Sequence, residues 1–283
     1  MEQTEKNTTK KATDVWIGIR RFFGDFYLVL MLIFLYIPIL TMIVLSFNAS
    51  KSRTRWGGFT LSWYAELFSS PTIMAAFRNT LIIAVLSALI ATVVGTAAAI
   101  GINSMKKFPK TVFMGITNIP MLNADIVTGI SLMLAFIAFK ISLGFNTILI
   151  SHITFNLPYV ILSVMPKLKQ TNRSTFEAAQ DLGATPQQAF FRVVFPDILP
   201  GVISGFLLAF TMSLDDFIIT HFTKGAGIDT LSTLIYSQVR RGIVPSMYAL
   251  SAIIFVAVLV LMILTNFAPK RNSIKTPAPA DKA

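Results

Sequence analysis

Residues Phe176 to Pro200 read FEAAQDLGATPQQAFFRVVFPDILP, a polar passage lying between two long apolar runs. Ser174 stands three residues before Glu177, the spacing of a capping box in which hydroxyl and carboxylate each satisfy an orphan backbone N–H at a helix start. That spacing predicts a short helix opening at Ser174. Glycine tolerates the left-handed backbone of a helix end, so Gly183 closes it. Thr185 followed by Pro186 then supplies a second cap, with proline in the first helical turn. The passage therefore reads as helix, glycine turn, helix: a folded element and not a tether.

The chain around it belongs to a membrane. Of 283 residues, 54% are hydrophobic and only 13% charged, well outside the balance of soluble domains. The net charge of +11 does not point to nucleic acid, because the basic residues sit at the ends of apolar runs and form no patch interleaved with exposed aromatics. Cysteine is absent, which removes disulfides, thiolate metal sites and cysteine nucleophiles, and two histidines alone cannot make a metal site. No GxxxxGK[ST] loop and no Ser-His-Asp constellation is present, so the chain is expected to catalyse nothing and to bind no cofactor.

Six apolar runs follow the first 25 polar residues, at Phe26 to Phe47 and at roughly 76–104, 111–139, 146–168, 196–222 and 247–268. Each reaches the ~20 residues needed to cross ~30 Å of hydrocarbon. The fold class is thus all-α: a polytopic membrane protein of six transmembrane helices, residues 26–268, with a loop at about 170–195 between the fourth and fifth spans. Pro38 introduces a packing kink in the first span. The small residues around Asn79-Thr80 and from Gly95 to Gly101 predict close helix approach in the second. Between the first two spans, the spacing of Leu61, Trp63, Tyr64, Leu67 and Phe68 predicts a short helix whose aromatics lie among the lipid headgroups. Residues 269–283 are proline-rich and polar and are expected to be disordered.

Lys and Arg set the orientation. Five lie in the amino-terminal tail, three in residues 105–110, four in 167–195 and four in the carboxyl tail, against eight on the other side. The positive-inside rule places both termini and the 167–195 loop in the cytoplasm.

Three acids fall within spans, where burial of charge is costly. Asp125, about fourteen residues into the third run, lies roughly 21 Å from its start at ~1.5 Å per residue. It is read both as a path residue and as a cap on a helix interrupted near Pro120 and Asn123. Asp215 and Asp216, about eighteen residues into the fifth run, stand near its outer end. Adjacent helical residues point about 100° apart, so both line one path only if the helix unwinds there; otherwise one faces a neighbouring span. They are read as a cation-attracting pair or as hydrated surface acids. His221 is expected to be solvated or hydrogen-bonded, and His152 with Asn156, four apart on one helix face, to make interhelical hydrogen bonds.

Glu177, Ala178 and Ala179, then Gly183, then Ile198-Leu199-Pro200 resemble the EAA loop of binding-protein-dependent ABC transporter permeases. Asp125-Ile126-Val127, Gly129-Ile130-Ser131, Ser151 to Phe155, Ser213 to Asp216 and Ile235-Tyr236-Ser237 resemble most the C-type permease subunit of spermidine/putrescine importers. One departure is Asn123-Ala124 ahead of Asp125, where the family pattern has a proline. The resemblance implies a polyamine permease in a bacterial cell membrane, its EAA loop docking on a dimeric ATPase that carries the ATP and Mg. It also implies a homologous sister permease and an extracytoplasmic polyamine-binding protein or lipoprotein, with lipid around the spans. Asp125, Asp215 and Asp216 become the candidate substrate path. Import of another small solute, and transport without ATP, stay open as alternatives.

Overall fold

A computed structural model of the chain describes residues 26–52, 54–241 and 244–267; the two tails lie outside the described residues. Twelve helices are defined within it: α1 Phe26–Ser46, then α2 Ser62–Ser69, α3 Pro71–Ser104, α4 Lys107–Leu122, α5 Asp125–Ala138, α6 Phe145–Gln170, α7 Arg173–Asp181, α8 Pro186–Ala189, α9 Phe195–Asp215, α10 Ile218–Thr223, α11 Leu231–Arg241 and α12 Pro245–Phe267. Among the described residues the extended structure is a single antiparallel bridge between Asn48 and Phe59. Four helical segments are long and apolar enough to cross a membrane: Phe26–Ser46, Pro71–Ser104, Phe145–Gln170 and Pro186–Asp215. A fifth is reached if α4 and α5 count as one span, and Pro245–Val256 is a shorter apolar helix.

The chain divides into two compact units. In the first, which takes in α1, the segment to Leu67 and α12, Asn48 organises the turn after α1. Its amide donates to the carbonyls of Ser52 and Arg55, and its Oδ1 accepts from the N–H groups of Ser50 and Gly57. The expected helix of residues 61–68 forms as α2, but Trp63 and Tyr64 turn inward while Phe68 stays 62% exposed. Trp63 is buried and donates Nε1–H to the Asn48 carbonyl at 2.8 Å, and the Tyr64 hydroxyl meets Ser46 Oγ at 2.7 Å. A local partner for each polar tip makes burial of these rings favourable, so the headgroup reading is corrected.

The second unit, Phe68–Gly242, is built on α3, α6 and α9, which pack against one another. Ala88, Ala91 and Ala99 of α3 meet Val160, Ile161, Val164 and Leu168 of α6 and Ile198 and Ala209 of α9 in one buried cluster. Glycine makes this approach possible. A Cβ on Gly95 would lie 2.8 Å from Val160 Cγ1, and one on Gly201 would lie 2.9 Å from Lys167 Cγ and 3.1 Å from the Ser163 carbonyl. Close approach is what holds helices together where the solvent is itself apolar. Gly101, by contrast, faces open space. Asn79 and Thr80 serve in another way: Asn79 donates to the Asp229 carbonyl and Thr80 Oγ1 accepts from Leu231 N–H, tying the loop before α11 to α3.

Two apolar runs are broken, the third run at the place where an interruption near Pro120 and Asn123 is one of the two readings of Asp125. The third run splits at Asn123-Ala124 into α4 and α5, which meet at 104°. Pro120 stays inside α4, so it is not the breaking residue. The depth assigned to Asp125 from a constant rise is therefore withdrawn: the residue opens a new helix in a new direction. The fifth run ends at Asp215, and α10 begins only at Ile218. Toward the loop that same helix is longer than expected, because Pro186–Asp215 forms one 30-residue element containing a π-helical turn at Phe190–Val194.

Candidate functional site

At one end of the second unit stands the EAA loop. Its helix α7 is capped by Asn172, whose Oδ1 accepts from Ser174 N–H at 3.1 Å and from Ser174 Oγ–H at 2.8 Å. The Ser174 capping box is thus corrected: Asn172 offers an acceptor two residues earlier, and Ser174 becomes its donor. The glycine turn forms as expected, with Gly183 at φ +88 and the N–H groups of Gly183 and Ala184 returning to the carbonyls of Gln180 and Ala179. The second cap also forms, Thr185 Oγ1 accepting from Gln188 N–H while Gln188 Oε1 accepts from Thr185 N–H. Glu177 and Ala178 lie on the exposed face of α7 and Ala179 is half-buried. Leu182, missed in the sequence because a lone leucine before a glycine has no signature, is 90% exposed at the tip.

A cavity of ≈ 590 Å³ lies between the ends of α3 and α6 and this loop, lined by Asn103, Leu168, Asn172, Phe176 and Phe190 among others. Helix α7 rests on α8 and the π turn. Helix α7 thus touches the start of the element that ends at Asp215.

At the other end of that helix the two adjacent acids part company. Asp215, the last residue of α9, is exposed. Asp216 turns inward, its side chain only 8% exposed, and its carboxylate accepts from the backbone N–H of Ile219 at 3.2 Å and from the N–H and hydroxyl of Thr220, both at 2.8 Å. It braces the start of α10. The unwinding that lets neighbouring residues diverge is the gap at Asp216-Phe217.

His152 of α6 is buried beside this gap, with Nδ1 2.6 Å from Ser213 Oγ, Nε2 2.9 Å from Thr220 Oγ1 and Nε2 3.4 Å from Asp216 Oδ2. The expected interhelical bonds of His152 are present. Asn156 is equally buried, but neither its Oδ1 nor its Nδ2 has a hydrogen-bond partner among the described residues. His221 is exposed and packs its ring against Phe217 and Tyr236, with centroids 5.2 and 6.1 Å away. Asp125 is exposed at the first turn of α5, at a different break from Asp215. The structure thus gathers Asp215 and Asp216 at one junction and sets Asp125 at another. No group of three or more His, Asp or Glu that could hold a metal occurs among the described residues.

Close-packed, glycine-notched helices with an externally capped loop at one end and broken helices bearing acids within the apolar region describe a membrane permease domain. Residues 91–273 match the model of the family described as binding-protein-dependent transport system inner membrane component. The chain belongs to that family. It is 40% identical over 232 residues to the putrescine transport system permease protein PotI of Escherichia coli K12, covering 80% of this chain and 83% of the relative. It is 35% identical over 254 residues to the spermidine/putrescine transport system permease protein PotC of Haemophilus influenzae, covering 90% and 99%. Its fold is that of a solved bacterial alginate ABC transporter in complex with an alginate-pentasaccharide-bound periplasmic protein, at a TM-score of 0.69 and 20% identity over 91% of this chain and 94% of that one. The chain is a membrane permease subunit and not a catalytic enzyme.

Proposed function

We propose that this chain is the transmembrane subunit of an ATP-driven importer for polyamines of the spermidine and putrescine class. The observation that carries the cargo is the 35–40% identity to relatives named for those substrates. The exposed carboxylate of Asp215 at a helix break supports it. A flexible polycation leaving its carrier sheds water, and a carboxylate at low dielectric offsets that loss by Coulomb attraction. Asp125 and Asp215 face the path in this reading, and Asp216 acts as their neighbour's brace.

The same reading takes the apolar runs as six spans with both termini and the EAA loop in the cytoplasm, supported by the excess of Lys and Arg on that side. Glu177, Ala178, Ala179 and Gly183, with Leu182 at the tip, form the surface that docks on an ATPase dimer carrying ATP and Mg. A homologous sister permease and an extracytoplasmic polyamine-binding protein complete the assembly. Closure of the ATPase dimer moves α7, and the rod Pro186–Asp215 carries that movement across the membrane.

The test is uptake by the chain co-expressed with its ATPase, sister permease and binding protein in cells without other polyamine import. Labelled spermidine or putrescine accumulates against its gradient, and accumulation stops when the ATPase is inactivated. Accumulation of a different solute with no polyamine uptake overturns the cargo, and uptake that survives ATPase inactivation overturns the energy source.

A further inference from the structure

The imidazole of His152 touches both sides of the break between α9 and α10. Its Nδ1 meets Ser213 in the last turn of α9, and its Nε2 meets Thr220 in α10. Hydrogen-bond direction follows by elimination. The single proton of the Thr220 hydroxyl is committed to Asp216 Oδ2 at 2.8 Å, so Thr220 Oγ1 accepts from His152 and the ring proton is on Nε2. In the neutral ring Nδ1 is then bare and accepts from Ser213, which in turn accepts from Ser87 Oγ of α3 at 3.0 Å. A directed chain results, Ser87 to Ser213 to His152 to Thr220 to Asp216, with the Ser87 hydroxyl shared between Ser213 and the Ala84 carbonyl of its own helix at 3.3 Å.

This chain ties four helices to one two-residue gap. Ser232 of α11 adds a bond to the Asp216 carbonyl at 2.6 Å, closing the gap from the remaining side. Every group in the chain is buried or nearly so, and an unpaired polar group there is costly, which gives the junction a single preferred angle. Asp215 stands directly before that gap and points away from the chain into the open.

We infer that His152 is a positioning residue for transport: by bridging Ser213 and Thr220 across the break, it fixes the direction in which Asp215 is presented. Its role in uptake rests on the proposed placement of Asp215 in the cargo path; its role in holding the break does not. An imidazole suits the task because one rigid ring carries an acceptor and a donor facing different helices. Phenylalanine keeps the ring and loses both bonds, whereas glutamine restores one acceptor and one donor without a titratable group.

This chain has no native cysteine, so in the importer assembled with cysteine-free partners both roles are measured separately. Asp215→Cys is labelled with a membrane-impermeant cationic thiol reagent, alone and combined with His152→Phe or His152→Gln, with Phe139→Cys, on an exposed residue at the far end of α5 from its Gly129 contact with α10, as control. The expected result is a labelling rate at 215 changed about tenfold by His152→Phe and largely restored by His152→Gln, with the rate at 139 unchanged. In uptake, His152→Phe raises the half-saturating spermidine concentration by about tenfold and adds nothing once Asp215→Asn is present. Should the Phe variant fail to assemble, His152→Asn, too short to reach both helices, carries the same expectation. Equal labelling rates at 215 with and without His152 overturn the positioning role. A His152 effect on uptake of the same size in the Asp215→Asn background shows action elsewhere and overturns it for transport. Unchanged uptake in Asp215→Asn alone overturns instead the placement of Asp215 in the path, while the labelling result stands on its own.

Discussion

Pro186 and Asp215 are the two ends of a single 30-residue helical element. At ~1.5 Å per residue it is about 45 Å long, enough to carry a displacement from one membrane face to the other. It carries a π turn at Phe190–Val194, beside the cavity under α7, and the interior prolines Pro196 and Pro200 beyond it. Such turns insert one residue into an α-helix and recur at functional sites.

Deleting Val193 is expected to convert the π turn to regular α-helix and rotate Asp215 by about 100° relative to the docking loop. Polyamine uptake falls by more than tenfold while the ATPase still co-purifies. Retained uptake would show that the register of this rod does not matter to coupling.

Gly95→Val places a side chain where Val160 Cγ1 already stands 2.8 Å from the required Cβ position. Overpacking of this kind costs about 1–3 kcal/mol. Thermal unfolding of the purified complex should show the loss, and Val160→Ala in the same chain should recover much of it. A neutral Gly95→Val would mean that α3 and α6 do not meet as closely as described.

Asn156 offers the opposite case. Its buried amide lacks a protein partner among the described residues, and an unsatisfied group of this kind costs about 1–3 kcal/mol. Asn156→Leu, similar in volume, is therefore expected to leave thermal stability unchanged or raise it. A drop of the size seen for a lost core hydrogen bond would reveal a partner engaged in another state of the transport cycle.

Thr185→Ala removes the acceptor for Gln188 N–H at the start of the second loop helix. The loss of such a cap is worth about 0.5–2 kcal/mol. Hydrogen exchange should quicken at residues 187–189 and leave α6 unaffected, and uniform protection would contradict the assigned cap.

The contrast between these sites explains what could be read ahead of the coordinates. Long apolar runs, the Gly183 turn and the Thr185-Pro186 cap are local: the residues that cause each feature are those that adopt it. Asn172 and Ser174 are both good caps two residues apart, and spacing alone favoured the wrong one. Pro120 and Asn123 signalled an interruption before Asp125, but an apolar run shows neither the 104° turn there nor where the fifth helix stops. The role of Asp216 lay furthest from view. Its brace is local, but His152 reaches Ser213 and Thr220 across 61 and 68 residues of sequence, and no pattern of spacing marks such a pairing.

The central claim, that this permease passes a polycation along exposed carboxylates, is tested most directly by spermidine uptake into proteoliposomes holding the full importer with Asp215→Asn, Asp215→Glu and Asp125→Asn. Loss of one charge about 4 Å from an ammonium group in a largely hydrated path, at an effective dielectric of about 60, corresponds to about a tenfold change in apparent affinity. The account predicts a half-saturating concentration raised by roughly that factor in each Asn variant, near-normal uptake in Asp215→Glu, and unchanged ATPase co-purification in all three. Uptake by Asp215→Asn and Asp125→Asn that matches the parent importer at every spermidine concentration would contradict it.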